Sequence, residues 1–412
     1  MSYTNSAILE AQSEFGLNLL RDVSANSKSS VVLSPFSVAI ALSMAYAGAR
    51  DETEAELGQL LANGESKERV HEYFGALINK IYAENKNYTL ETANRIYVKE
   101  GFSILDSYKQ LLNAHYKGQF ESVDFSRSVE TAKMINDFVS NATHDKIHDL
   151  IQPDSLSELT RLLLINAVYF KGTWQSKFEP DRTLNRTFYV SEGNEKQVDM
   201  MRKTTKLPYH ETDSYQVLGL PYEGQDVFMY VILPKERYGL DTLLKNLTGK
   251  DLLDIVQKRA KTEVVVSLPK FKLESTHLLT QILKKSGLTK SLSAATNFRG
   301  ISDAGSLQIS EIIQKAFIEV NEEGTEAAAA TAVQMVMKSA RPLKQFLADH
   351  PFLYFITNEE GTEAAAATAV QVRLMSARMD PDIEFTADHP FFYAIVTSKG
   401  ETLFNGVVRE NH

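Results

Sequence analysis

Residues 162–170 read Leu-Leu-Leu-Ile-Asn-Ala-Val-Tyr-Phe, an apolar run interrupted only by Asn166. A strand with one wet face alternates apolar and polar side chains, so a run without that alternation belongs to a strand covered on both faces. Whatever this chain folds into must therefore place a layer on each side of a sheet. A second stretch, VAIALSMAYAGA from Val38, is apolar all round, which predicts a buried helix. It follows Ser34-Pro35-Phe36-Ser37, read as an N-cap with proline in the first turn.

Further helical signals run through 51–61, 66–83 and 130–151, while ETANRIYV and ESVDF between them read as strands. After Leu162 strands dominate: VLGLPY, VFMYVILP, TEVVVSLPKFKLE and AFIEV, punctuated by proline and glycine. No composition break marks a linker. Helices first and strands later predict one large α+β domain over residues 1–412.

Composition narrows the function classes. Of 412 residues 43% are hydrophobic and 24% charged, enough apolar material for a large core. A net charge of −9 argues against nucleic acid as a partner, and no apolar run is long enough to span a membrane. There is no cysteine, hence no disulfide, thiol nucleophile or zinc thiolate. No serine elbow is present either, so a hydrolase finds no support. His144 and His148 would lie one helical turn apart, but no third metal ligand accompanies them. Lys67, Arg69, Lys80 and Lys86 offer a polyanion patch, yet interleaved acids make it read as a solvated face. The N-terminus lacks a basic start followed by an apolar core, so a cytoplasmic protein is expected, with an extracellular one as the alternative. In the cytoplasm the sequons at Asn87, Asn141, Asn185 and Asn246 would stay unmodified.

The decisive segment starts at Ile312 and reads IIQKAFIEVNEEGTEAAAATAVQMVMKSARPL. By propensity alone EAAAATAVQ is a helix. Against that, it follows a strand, Gly324 precedes the alanines, and small side chains at alternate positions would let it slide between two existing strands.

IEVNEEGTEAAAATA resembles the hinge of the serpin family, of the inhibitory and intracellular type. Other stretches resemble the family in the same order. They are Ser34–Ser37 with Ala41–Met44, Asn94-Arg95, Val123–Phe125, Ile135-Asn136 through Lys146-Ile147, Leu164–Trp174, Leu268–Phe271 and His389–Phe391. The resemblance implies a serpin-like fold of three β-sheets, about nine helices and an exposed reactive-centre loop. It implies a single-use inhibitor of serine proteases, forming a covalent complex as a monomer without cofactor, and not an enzyme. The hinge would comprise Glu322, Glu323, Gly324, Thr325, Ala327 and Ala329. The sheet would open at Ser34, Ser37, Asn166, Trp174 and Gln314, where Gln314 stands in place of a frequent family histidine. Phe138 stands in place of a frequent tryptophan. Counting from the hinge puts the cut bond at Lys338-Ser339, with Arg341 the alternative, a bait for trypsin-like enzymes. The other class to weigh is a non-inhibitory serpin-like chaperone, storage or binding protein. Such a chain is expected to carry bulky, charged or proline residues in the hinge, and this one does not.

A larger departure from the family is an internal repeat. Asn321–Gln334 recurs identically as Asn358–Gln371, and Ala348–Phe352 recurs as Ala387–Phe391. Residues 321–357 and 358–397 are thus tandem copies of hinge, loop and following strand, with a second hinge at Gly361-Thr362. The baits differ: MVMKSARPL in one copy and VRLMSARMD in the other. The same count places a second cut bond at Met375-Ser376, suited to chymotrypsin- or elastase-like enzymes, with Arg373 and Arg378 as alternatives. A genuine two-loop inhibitor and two alternative exons joined in one chain both fit this pattern.

Overall fold

The computed structural model describes residues 3–25, 27–81, 88–117, 120–258, 260–303, 307–325 and 383–410. Ala327, Ala329, Lys338, Ser339, Gly361, Thr362, Met375 and Ser376 lie outside the described residues.

The first part of the chain is mostly helical: α1 (Tyr3–Ser24), strand β1 (Val31–Leu33), α2 (Pro35–Gly48), α3 (Asp51–Ala62), α4 (Lys67–Ile81), β2 (Tyr88–Lys99), α5 (Asp106–Tyr116), β3 (Phe120–Val123) and α6 (Ser128–Ala142). Strands then prevail: β4 (Leu162–Thr173), β5 (Leu184–Ser191), β6 (Asn194–Glu211), β7 (Tyr215–Pro221) and β8 (Val227–Pro234). After α7 (Leu240–Asn246) and α8 (Gly249–Gln257) come β9 (Lys261–Pro269), β10 (Phe271–Leu278), α9 (Thr280–Lys285), β11 (Ile309–Val320) and β12 (Gly324–Thr325). The described chain ends with β13 (Ile383–Thr386), β14 (Phe391–Thr397) and β15 (Thr402–Val408). This is the expected α+β order.

One sheet has six strands in the order β10-β11-β12-β4-β2-β3, with β11 also paired directly to β4. The other nine strands run β1-β15-β14-β8-β7-β6-β9-β13, with β5 beside β6. They form two sheets that share the long β6, whose residues 200–208 pair with β9 and residues 209–211 with β7.

The apolar run in β4 behaves as its lack of alternation demands. Leu162, Leu164, Val168 and Phe170 join the main core with α2, while Leu163, Ile165, Ala167 and Tyr169 pack on the other face with Ile135 and Val139 of α6. Helix α2 is buried along its whole length, and the Ser34 side chain caps it by accepting from the Ser37 N–H. The helix expected over 130–151 ends earlier, at Ala142. His144 and Asp145 turn the chain with positive φ (51° and 57°), which folds Ile147 and Ile151 back onto the sheet. Asn136 holds that return with two bonds to the Ile151 backbone, at 2.9 and 3.0 Å. His144 and His148 are consequently not a helical pair. Of the duplicated segments, the first hinge copy continues from β11, and the second strand copy forms β14.

Candidate functional site

The site lies where β11 and β4 meet. These strands pair in parallel from Ile309 to Phe317, in a register that places Gln314 beside Asn166; across β4, Asn166 faces Asn94 of β2. Three amides thus form one row across three adjacent strands, over the N-terminus of α2. All are buried, and all are satisfied. Gln314 donates from Nε2 to the Asn166 Oδ1 (2.6 Å) and the Ser34 carbonyl (2.9 Å), and its Oε1 accepts from the Ser34 N–H (3.2 Å). Asn166 donates to Ser37 Oγ and Asn94 Oδ1, Ser37 Oγ donates to Asn94 Oδ1 (2.8 Å), and Ser34 Oγ donates to the Leu403 carbonyl (2.7 Å). A buried polar seam of this kind is favourable only while every member is paired. Glutamine at 314 supplies both a donor and an acceptor, so the position needs no histidine.

Further along, β11 and β4 are separated by β12. Gly324 and Thr325 pair antiparallel with Thr173 and Gly172 of β4, and Thr325 also pairs with Val320 of β11. The fit leaves no spare space. A Cβ on Gly324 would lie 2.0 Å from the Gly172 carbonyl oxygen, and one on Gly172 would lie 2.7 Å from the Tyr222 ring. Thr325 is fully buried and its Oγ1 is 2.5 Å from the Tyr222 hydroxyl. Tyr222 stacks on Trp174, ring centroids 4.5 Å apart. Trp174 in turn donates from Nε1 to the Asn321 carbonyl (3.0 Å) and from its backbone N–H to the Glu323 carbonyl (2.9 Å).

Glu322 and Glu323 are tied down separately. Glu322 accepts from Thr183 (2.8 Å) and pairs with Lys270 (3.1 Å), while its carbonyl accepts from the Phe178 N–H (2.9 Å). Burial works against its ionisation, but backbone, Thr183 and Lys270 hydrogen bonds outweigh that and hold its carboxyl below the ordinary range. Glu323 pairs with Lys177. Beside Phe178 Lys203 is buried, donating to the Ser176 carbonyl and lying 4.0 Å from the Phe178 ring centroid. Burial pushes its ammonium down to about 8.

The structure therefore brings Ser34, Ser37, Asn166 and Gln314 into one network, and places Trp174, Glu322, Glu323, Gly324 and Thr325 in another. Sequence reasoning overlooked Asn94, Tyr222 and Lys203 as members. Asn94 had a signal, a lone amide in a strand otherwise rich in apolar residues; the other two had none. Phe138 is half-buried, with the Arg95 guanidinium 3.6 Å from its ring centroid. Of the basic patch, Lys67, Arg69 and Lys80 face Glu54, Glu65 and Glu401 within 4.0 Å, and Lys86 lies outside the described residues. No three His, Cys, Asp or Glu side chains among the described residues are grouped to hold a metal, and no described helix is long and apolar enough to cross a membrane.

Comparison with known proteins finds one family over nearly the whole chain. The sequence matches the family described as Serpin (serine protease inhibitor) over residues 10–359, and again over 356–411. It is 39% identical over 357 residues to Serpin B6 of Pongo abelii, covering 85% of this chain and 95% of that one. To intracellular coagulation inhibitor 2 of Tachypleus tridentatus it is 36% identical over 353 residues, covering 84% and 86%. The crystal structure of Serpin48 from Tenebrio molitor superposes with a TM-score of 0.81 at 31% identity, covering both chains fully.

Proposed function

The chain belongs to the serpin family of serine protease inhibitors, and from that premise we propose that it acts as a single-use trap rather than as an enzyme. The target protease attacks Lys338-Ser339, or Met375-Ser376 where the second bait is presented, and becomes esterified to the new chain end. Residues after Thr325 then insert between β11 and β4, whose direct pairing from Ile309 to Phe317 must part to admit them. The observation that carries this reading is β12: two hinge residues already occupy the mouth of the slot, paired on both sides. Small side chains at the alternate positions Ala327, Ala329 and Thr331 favour continuation. Roughly a dozen new ladder bonds at about 1 kcal/mol each supply on the order of 10 kcal/mol. That is comparable to the stability of a whole domain. Dragging the acylated protease across the sheet pulls its catalytic groups out of register, and an ångström of misplacement slows deacylation by orders of magnitude.

The amide seam suits such a role, because β11 and β4 must separate there and hydrogen bonds can be exchanged for new ones. The small hinge residues weigh against the chaperone or binding reading. A monomer acting in the cytoplasm remains part of the proposal, supported by the name of the Tachypleus relative as an intracellular inhibitor.

The test uses trypsin and a gel assay for covalent complex. Lys338→Ala is expected to abolish the complex with the fold intact. Thr325→Arg must bury an unpaired charge at a fully buried site, which costs several kcal/mol. It should leave the loop cleavable but the protease free. Cleaved wild type should unfold at a much higher temperature than uncleaved protein. An unchanged unfolding temperature after cleavage would falsify the insertion mechanism.

A further inference from the structure

We infer that Tyr222 is a positioning residue, a latch that holds Thr325 in place before cleavage and sets the register in which the loop enters. The inference rests on the insertion reading above and adds to it a residue outside the hinge. Tyr222 is fully buried, and its hydroxyl meets Thr325 Oγ1 at 2.5 Å. Its ring is fixed by stacking on Trp174 at 4.5 Å and by an edge contact with Phe170 at 5.1 Å. The strand position opposite Thr325 is Gly172, and a side chain there would strike the Tyr222 ring. Glycine at 172 thus leaves room for the phenol to reach across β4 to the incoming hydroxyl.

Register matters because side chains alternate along a strand. A slip of one residue would turn the whole loop over. With Thr325 facing Tyr222, the inward positions are Ala327, Ala329 and Thr331; with a one-residue slip, the inward residue is Glu326. Burying that carboxylate unpaired is prohibitive. The latch also opposes withdrawal. If Thr325 leaves, a fully buried phenol loses its hydrogen-bond partner, the expensive way to break such a bond. Thr362 and Glu363 repeat this pair in the sequence of the second copy.

Trp174 is the only tryptophan in the chain and touches the latch, so its emission reports the latch directly. Tyr222→Phe keeps the ring stacked and removes only the hydroxyl; Thr325→Val keeps the shape and does the same from the other side. Each is expected to change Trp174 emission in the uncleaved protein. Each should raise the number of inhibitor molecules consumed per trypsin inactivated by about 2- to 10-fold, the factor one ordinary hydrogen bond carries. The double variant should be no worse than either single one, since it leaves no buried hydroxyl without a partner, and restoring a hydroxyl with Thr325→Ser should recover the wild-type emission. Effects of the two substitutions that multiply, or a Tyr222→Phe protein with wild-type emission and consumption, overturn the latch. Emission needs no protease, so a chain that inhibits nothing yet shows the non-additive emission cycle keeps the latch and loses only the inhibitory reading.

Discussion

Lys203 shows how much a single side chain can hide. In the sequence it is one of several basic residues in an alternating strand, with nothing to mark it. In the fold it is buried beside Phe178, whose N–H donates to the Glu322 carbonyl. Burial lowers its ammonium from 10.5 to about 8. Between those values the unfolded chain binds more protons than the folded one, so stability rises with pH across that window. Below about 8 the folded state carries the burial penalty of the charge. Lys203→Met should therefore be more stable than wild type near neutral pH. It should also lack the wild-type rise in unfolding free energy between about pH 8 and pH 10, as read by urea titration. A wild-type rise that survives the substitution would assign it to other groups. Ser34, by contrast, was legible as a cap, because its partner is three residues away.

Among elements, the pairing of β11 with β4 is the one on which the proposed mechanism turns. Gln314 is the sole member of the amide row contributed by β11. Gln314→Leu would leave the Ser34 N–H and carbonyl and the Asn166 oxygen without that partner, all of them buried. The expected loss is about 2–4 kcal/mol in the uncleaved protein, from several groups orphaned at once. In the cleaved form the bridge from Gln314 to Asn166 would already be broken by insertion, so the loss there should be smaller. Chemical unfolding of both forms checks this, and equal losses would count against strand separation at that seam. The strands themselves were readable from their apolar runs, and α2 from its all-round hydrophobicity. The end of α6 was not, since Ile147 and Ile151 continue a helical apolar spacing but are buried by a reversal of the chain.

For the whole molecule, the duplication sets the sharpest question. The start of the first repeat, residues 321–325, follows directly from β11 and pairs between it and β4, and the second copy of the following strand lies between β8 and β15. Deleting residues 349–387 joins Ala348 to Asp388 and keeps the Lys338 bait; deleting residues 321–357 joins Val320 to Asn358 and keeps the Met375 bait. Both shortened chains retain one hinge and one following strand. Each should be more soluble than the full chain, because the surplus aromatic strand is removed. The first should trap trypsin-like and the second chymotrypsin-like enzymes, and Thr362→Arg in the full chain should leave trypsin inhibition intact. Inhibition of the same enzyme by both deletions would refute the assignment of the baits.

The chain order by itself determined the run of helices before strands, the two-sided burial of β4 and the capped and buried α2. Those are properties of neighbours, set by periodicity, capping and backbone freedom within a few residues. Only the tertiary structure decided that Asn94, Asn166 and Gln314 share one row, that Tyr222 reaches Thr325 through the space Gly172 leaves, and that Lys203 is buried against Ser176 and Phe178. Their partners are brought together from distant strands, and the energy of such contacts depends on register and burial, neither of which exists until the sheets have formed.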